Sequence, residues 1–262
     1  MRRIPAALLF VIVLSGLGVI VTAATAPKPA PADPRYQKYD DYFKKYSKAY
    51  FSDGVDWTLF KAQGIVESNL RPDVESSEHA VGIMQLKRNT FEEVQRQLWQ
   101  QKKQRLGDIK DPEANIAAGI WYDHEHWSYW QKKSDGSFHG HFMLGSYNAG
   151  RGHVIDAQAF AVAQKEKHPG QWPTIEKVAP KVPKWGSRSS ETVAYVKGVF
   201  INIQSFDKKG QVVGDTISKF GSKVGSVGKS LEGQVNDWLH KFPHIVPWFS
   251  HHMPWHHDED SK

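Results

Sequence analysis

The sequence contains no cysteine, which excludes disulfide bonds, thiolate metal sites and lipid attachment through an N-terminal cysteine. It also lacks any block of basic residues, because the formal net charge of +6 is spread along the 262 residues. A mild positive charge of this kind fits a polyanionic surface such as a cell wall or a membrane face. No basic helix, zinc-finger spacing or stacking motif indicates nucleic-acid binding, so we expect no nucleic-acid partner.

A long apolar run occurs at the N-terminus. After the basic start Met1-Arg2-Arg3 there is no charged residue until Lys28, and residues 6–21 are almost wholly apolar. The run predicts a secretory signal peptide within residues 1–26, with small residues that fit cleavage after Ala24. An uncleaved membrane anchor is the alternative, because residues 6–26 are long enough to cross a bilayer as a helix. Both alternatives predict export, and the pattern does not choose between them.

The rest of the chain divides into three parts. Residues 27–35 form a proline-rich linker, residues 36–206 carry the pattern of a folded domain, and residues 207–262 form an extension. An apolar stripe from Val213 to Trp238, with lysines on its polar side, predicts an amphipathic helix that binds a membrane surface or a partner. Docking on the chain's own domain, and disorder, remain alternatives. The end of the extension is rich in histidine, a composition that can bind a transition metal; we assign no metal and no cofactor.

Apolar periodicity predicts a mainly α domain with at most a small hairpin around residues 72–82. The first helix covers residues 36–50, and the second begins at an Asp56 cap and ends before Pro72. A capping-box pattern predicts a helix that starts at Phe91, and Asp111-Pro112 starts another. Residues 164–190 read as a loop. The inner faces of the later helices are predicted to carry Ile116, Ile120, Asp123, Trp127 and Trp130, then Val154, Ala157 and Ala161, then Val193, Val196, Phe200 and Ile203.

Glu67 is the candidate catalytic residue. It shares one face of the second helix with Trp57, Phe60 and Gly64, so its carboxyl group lies on an apolar surface. Burial disfavours the charged form and raises the pKa of a carboxyl group, which suits a general acid at neutral pH. A glutamate that only hydrogen-bonds a neighbour would show the same spacing, so the spacing alone leaves both interpretations open.

Five ordered motifs resemble the lytic transglycosylases of the SLT catalytic-domain family, relatives of goose-type lysozyme, over roughly residues 40–205. They are Glu67-Ser68; Gly82-Ile83-Met84-Gln85-Leu86 followed by Thr90; Asp111-Pro112 to Asn115-Ile116 and Gly119; Ser146-Tyr147-Asn148-Ala149-Gly150; and Glu191-Thr192 to Tyr195-Val196. The resemblance implies a mainly α, lysozyme-like fold. Two departures from the family pattern are the run Glu78-His79-Ala80-Val81, where Gly-Ala is common, and Ser146, where alanine is commoner.

The resemblance further implies cleavage of the β-1,4 bond between N-acetylmuramic acid and N-acetylglucosamine in peptidoglycan glycan strands. Glu67 would be the sole acid and base, and the muramoyl 6-hydroxyl would form a 1,6-anhydro end without water. A periplasmic location, free or anchored in the inner membrane, goes with this substrate. The residues implied to line the substrate cleft are Ser68, Gly82, Met84, Gln85, Tyr147, Asn148 and Tyr195, and for each of them a packing role is the alternative.

Two other functions remain open. A loop acid among Asp73, Glu75 and Glu78 that activated water would make the protein a muramidase of the goose-type lysozyme kind. A non-catalytic cell-wall-binding adaptor, with the C-terminal extension as its working part, is the alternative from a different class. An intact Glu67 argues against the adaptor.

Overall fold

The structure is a computed structural model that describes residues 33–52, 54–134, 139–206 and Gly210. The N-terminal signal or anchor segment and the amphipathic, histidine-rich extension predicted from the sequence lie outside these residues. Within the described residues, no helix has the length and apolar character needed to cross a membrane.

The described part of the chain contains eight α-helices, three short 3-10 helices and one two-stranded hairpin, which confirms the prediction of a mainly α domain. The elements in chain order are α1 (Asp40–Phe51), α2 (Trp57–Ser68), β1 (Ala80–Val81), β2 (Leu86–Lys87), α3 (Arg88–Lys102), α4 (Pro112–Trp130), α5 (Gly140–Ala149), α6 (Arg151–Ala163), α7 (Trp172–Val178) and α8 (Ser189–Gln204).

Helix α4 lies at the centre of the packing. Helices α1, α3 and α5 pack against it, while α8 packs against both α2 and α5. The predicted apolar stripe of α4 is confirmed, because all five of its members are buried, including the carboxyl side chain of Asp123. The arrangement brings the end of α2 and one face of α8 together beside α4 and α5, and the candidate site lies there.

The predicted helix starts hold where an aspartate caps the helix. Asp56 accepts a hydrogen bond from the backbone N–H of Thr58 at 2.8 Å, and Asp111 accepts one from Ala114 at 2.8 Å. Pro72 would allow helix α2 to continue as far as Arg71, but the helix ends at Ser68. It ends there because Asn69 adopts a left-handed conformation with φ of 56°. The start predicted at Phe91 is wrong: α3 begins at Arg88 without a side-chain cap.

Two further predictions need correction. The segment predicted as a loop over residues 164–190 contains α7, whose Trp172, Ile175 and Val178 are buried. Its seven residues are too few to give a clear period in the sequence. Helix α8 buries Val196 as predicted, and Phe200 and Ile203 are partly buried against the core. Its buried face also carries Thr192, Tyr195 and Val199, which the predicted apolar face did not include.

The hairpin is short and antiparallel. Ala80 pairs with Lys87 and Val81 pairs with Leu86, and an isolated bridge joins Glu75 to Val81. The hairpin was predicted a few residues earlier in the chain. Its turn is the run Gly82 to Gln85, so the glycine-marked motif lies at the tip of the hairpin and faces α4.

A buried ion pair ties α2 to α1. The Lys61 ammonium lies 2.7 Å from an oxygen of Asp40 and donates a hydrogen bond to the Gly210 carbonyl at 2.8 Å. The Lys61 side chain is fully buried, and its charge also lies over the rings of Trp57 and Phe206. Since an unpaired buried charge is costly, this pair fixes the position of α2 relative to α1.

Gly119 allows the hairpin tip to approach α4. A Cβ at this position would lie 2.7 Å from both Cβ and Cγ of Met84, which are the rigid end of that side chain. We expect Gly119→Ala to lower the free energy of unfolding by about 1–3 kcal/mol, because the hairpin tip must move away. Urea unfolding measures the loss.

Gly152 in α6 provides the matched control, because a Cβ there would meet nothing within 4 Å. Gly152→Ala should leave stability unchanged or raise it by up to about 1 kcal/mol, since alanine is the better helix former. Equal effects of the two substitutions would contradict the packing role assigned to Gly119.

Candidate active site

Glu67 lies in the last turn of α2, with its side chain partly exposed at the edge of the core. Burial of the carboxyl group is the main influence on its acidity and raises its pKa to about 8 from an ordinary value of 4.5, against the smaller opposing effect of a hydrogen bond from Tyr195. A carboxyl group with this pKa carries its proton at neutral pH, as a general acid must. Glu67 therefore has the acidity that the sequence predicted for it.

Tyr195 of α8 is the direct partner of Glu67. Its hydroxyl donates a hydrogen bond of 2.7 Å to Oε1 of Glu67, and the residue is only 2% exposed. Burial and the nearby carboxyl group raise the pKa of Tyr195 well above its usual value, so the phenol keeps its proton. Tyr195 is thus a permanent donor that orients Glu67 and favours its charged form.

Tyr147 of α5 lies in the electrostatic field of Glu67 but bonds elsewhere. Its hydroxyl donates to the Met84 carbonyl oxygen at 2.6 Å, and its ring packs edge-on against Tyr122. The Met84 side chain is fully buried, so only the backbone of this residue contributes a polar group here. The bond joins α5 to the hairpin tip beside Glu67.

Asn115 of α4 holds the hairpin tip in place. Its amide oxygen accepts from the Met84 N–H at 2.7 Å, and its amide nitrogen donates to the carbonyls of Val81 and Ile109 at 3.0 and 2.9 Å. Gly82 has φ of +81°, and a Cβ on it would lie 2.6 Å from the Asn115 amide. Glycine is required at this position for both reasons.

Ser68 and Gln85 bind the local backbone. The Ser68 hydroxyl donates to the Ile83 carbonyl at 2.9 Å and accepts from the Arg71 N–H at 3.1 Å, which connects the end of α2 to the hairpin. The Gln85 amide donates to the carbonyls of Gly82 and Val74. Both side chains therefore shape the loop next to Glu67.

Asn148 is exposed at the end of α5, and its amide oxygen accepts a hydrogen bond of 2.8 Å from the hydroxyl of Thr192 in α8. No role was predicted for Thr192, although it belongs to the motif Glu191-Thr192 to Tyr195-Val196. Ser146, a departure from the family pattern, is buried and accepts a hydrogen bond of 2.7 Å from the Trp130 indole. The serine at this position therefore has a hydrogen-bond partner, Trp130, and does not bond Glu67.

A second carboxyl group, that of Asp123, interacts electrostatically with Glu67, and no role at the site was predicted for it. Asp123 of α4 is fully buried and accepts a hydrogen bond of 3.4 Å from Gln63, one turn before Glu67 on α2. Burial raises the pKa of Asp123 well above its usual range, against the opposing effect of the hydrogen bond from Gln63, and the nearby Glu67 carboxyl group raises it further. The same signal that selected Glu67, a carboxylate within an apolar stripe, was present at Asp123.

Glu67 differs in its environment from the other acids of this region. Asp123 has no exposed surface, so it cannot contact a sugar in this structure. The loop acids Asp73, Glu75 and Glu78 are exposed, and Glu75 pairs with His79 at 3.1 Å. Among the residues described, Glu67 is therefore the carboxyl group that combines partial exposure, a raised pKa and an orienting partner.

Residues 41–169 match the family model of the transglycosylase SLT domain. A membrane-bound lytic murein transglycosylase F from Pseudomonas fluorescens is 28% identical over 215 residues, which is 76% of this chain and 40% of that protein. The protein of the same name from Pseudomonas putida strain W619 is 30% identical over 152 residues, or 56% of this chain and 28% of that protein. This chain thus spans two fifths or less of the length of these two relatives. Among solved structures, the 70 kDa soluble lytic transglycosylase of Escherichia coli is 24% identical in sequence, with a TM-score of 0.46. The match covers 62% of this chain and 22% of the Escherichia coli chain.

The raised pKa of Glu67 makes stability depend on pH. The unfolded chain loses this proton near pH 4.5 and the folded chain only near pH 8, so the contribution to stability is full below 4.5 and is lost as the pH rises to 8. The loss approaches about 1.4 kcal/mol per pH unit inside that window. We expect Glu67→Gln to gain stability relative to the wild type as the pH rises through it.

Urea unfolding of both proteins across this pH range measures the difference, with the exposed Glu75→Gln as control. A gap between Glu67→Gln and wild type that does not change with pH would show that Glu67 titrates normally in the folded state.

Proposed function

We propose that this protein, which belongs to the transglycosylase SLT family over residues 41–169, is a peptidoglycan lytic transglycosylase. The observation that carries the proposal is the 2.7 Å hydrogen bond from Tyr195 to a partly exposed Glu67 whose pKa is raised to about 8. Such a group can give up a proton and take it back at neutral pH. The substrate proposed is the glycan strand of peptidoglycan.

In the first step, Glu67 donates its proton to the oxygen of the β-1,4 bond between N-acetylmuramic acid and N-acetylglucosamine. The bond to the anomeric carbon breaks, and positive charge develops on the sugar ring. Glu67 becomes a carboxylate at this moment. The Tyr195 hydroxyl stabilises the new charge, because it donates to Oε1 and cannot itself ionise at this pH.

In the second step, the Glu67 carboxylate accepts the proton of the muramoyl 6-hydroxyl, whose oxygen attacks the anomeric carbon. A 1,6-anhydro end forms, Glu67 is protonated again, and no water is consumed. The attacking group belongs to the substrate, so the entropic cost of recruiting a water molecule is avoided. This route requires one carboxyl group in contact with the sugar, which suits the full burial of Asp123.

The remaining site residues are proposed to form the cleft in two ways. Asn148 is exposed, and Tyr147 and Gln85 are partly exposed, so these three are proposed to contact the N-acetyl and hydroxyl groups of the glycan. Ser68, Gly82 and Met84 are buried, so we assign them to shaping the loop that carries those contacts. Tyr195 acts on Glu67.

Export follows from the proposed substrate. We propose that residues 1–26 direct the chain across the inner membrane, as a signal peptide or as an anchor, and that residues 36–206 act in the periplasm. Two similar proteins are named membrane-bound lytic murein transglycosylase F. Residues 27–35 are proposed as a linker, and residues 207–262 as a segment that contacts the membrane or a partner.

Glu67→Gln is expected to abolish cleavage of purified sacculi, because an amide is neither an acid nor a base near neutral pH. Mass spectrometry of the wild-type digest should find 1,6-anhydromuramic ends. Reducing muramic ends would identify a muramidase instead, and wild-type protein that binds sacculi without releasing any product would favour the adaptor. A Glu67→Gln protein that still cleaves would refute the assignment of Glu67.

Tyr195→Phe is expected to move the alkaline limit of activity to higher pH. The lost hydrogen bond had lowered the pKa of Glu67, so its removal lets that pKa rise. The rate at neutral pH should fall about 10- to 100-fold, since a hydrogen bond to a charged group contributes about 1.5–3 kcal/mol.

Tyr147→Phe is the matched control for this measurement, because the Tyr147 hydroxyl bonds the Met84 carbonyl and not Glu67. It should leave the position of the alkaline limit unchanged, whatever it does to the rate. An identical limit in wild type and Tyr195→Phe would argue that Tyr195 does not act on the titrating group.

A further inference from the structure

We propose that Asp123 is a positioning residue for Glu67: it works as a neutral carboxylic acid paired with the Gln63 amide, and it fixes the last turn of α2 against α4. The proposal rests on the proposed function of Glu67 as the catalytic acid. It adds a second carboxyl group to the site, with a role that requires it to keep its proton.

Two buried oxygens without hydrogen-bond partners point to this pair. Within the described part of the chain, Oδ2 of Asp123 and Oε1 of Gln63 have no partner, although the Gln63 amide nitrogen donates to Oδ1 of Asp123 at 3.4 Å. Both side chains are fully buried. Buried polar atoms without partners are costly, so a native structure rarely keeps two of them on a pair of side chains that are already hydrogen-bonded to each other.

A single proton on Asp123 would give both of these oxygens a hydrogen-bond partner. A carboxylic acid has one donor and one acceptor, and a primary amide has the same two functions. If Oδ2 of Asp123 carries a proton, it can donate to Oε1 of Gln63 while Oδ1 accepts from the amide nitrogen. The two side chains then form a closed pair with two hydrogen bonds. An ionised Asp123 has no proton to donate and would leave both oxygens unsatisfied.

The surroundings of Asp123 also oppose a negative charge. The titratable groups in its electrostatic field are Glu67 from α2, Tyr147 from α5, Tyr195 from α8 and Tyr122 on its own helix. These groups are acids. None of the ion pairs found among the described residues includes Asp123. His126, one turn along α4, is buried, which lowers its pKa to about 3 and leaves it neutral.

The pair acts on Glu67 through the helix. Gln63 and Glu67 are four residues apart and therefore lie on the same side of α2, one turn from each other. A hydrogen-bonded link from Gln63 to α4 restrains the rotation and height of that turn. A neutral Asp123 also leaves Glu67 as the one carboxyl group that becomes charged during the reaction, because two neighbouring carboxylates would repel.

Two substitutions of Asp123 test the positioning role. Asp123→Asn retains one donor and one acceptor, so it should keep activity within about threefold of wild type and the same alkaline limit. Asp123→Leu leaves the Gln63 amide without a partner and should lower kcat about tenfold or more, with little change in KM. Asp156→Leu, at an exposed position of α6, is the control. Circular dichroism and thermal unfolding verify that each variant folds.

The outcomes separate three cases. Asp123→Asn with an alkaline limit lower by about one pH unit or more would show that Asp123 is ionised in the wild type, and it would overturn the proposal. Asp123→Leu that folds and keeps its kcat would overturn the positioning role. Loss of activity in Asp123→Leu with rescue by Asp123→Asn supports both parts.

A spectroscopic measurement tests the neutral acid without using activity. Glu67→Gln removes the carboxyl band of Glu67, so the infrared difference between Glu67→Gln and Glu67→Gln/Asp123→Asn should contain the carbonyl stretch of a protonated carboxylic acid at neutral pH. Absence of this band would refute the neutral Asp123. If the band is present but wild type releases no anhydro product, the proposed function fails while the pairing of Asp123 with Gln63 stands.

Discussion

The three hydrogen bonds of the Asn115 amide are the constraint on which the site depends. They join α4 to both sides of the hairpin turn and to the segment before α4, through the Met84 N–H and the carbonyls of Val81 and Ile109. The hairpin has only two residue pairs of its own, too few for independent stability. Once Asn115 fixes it, the Met84 carbonyl can receive Tyr147 and the Ile83 carbonyl can receive Ser68. The ends of α2 and α5 are therefore positioned through the buried side chain of Asn115. The absence of a Cβ at Gly82 allows this side chain to lie against the hairpin turn.

The proposed chemistry depends on a difference between two carboxyl groups. Glu67 reaches the surface and receives a donor, Tyr195, that cannot ionise near neutral pH. Asp123 is enclosed and faces an amide. One group is thus able to exchange its proton with a substrate, while the other is enclosed. The environment and not the residue type decides which role each carboxyl takes.

The sequence predicted the helical class, the caps at Asp56 and Asp111, the stripe of α4 and the resemblance to the SLT family, which is confirmed. These features follow from local chemistry or from ordered motifs. The sequence did not reveal α7, the polar members of the buried face of α8 or the pairing of Asp123 with Gln63. Each of these depends on tertiary packing: α7 is too short for a clear period, and the buried residues of α8 include polar ones. Asp123 was assigned to the buried stripe of α4 by its spacing, and its carboxyl group was not considered separately from the apolar side chains around it.

The position of Glu67 within α2 has a further consequence. It is the second-last residue of the helix, where the aligned peptide dipoles place partial negative charge. The backbone there opposes a carboxylate and favours a carboxyl group that holds its proton. In the proposed reaction, Glu67 becomes charged at the end of the helix where an anion is least stable, and recovery of a proton from the sugar hydroxyl would relieve that repulsion. The direction of the helix thus favours the second step of the proposed reaction, in which Glu67 regains its proton, and opposes the first, in which Glu67 loses it.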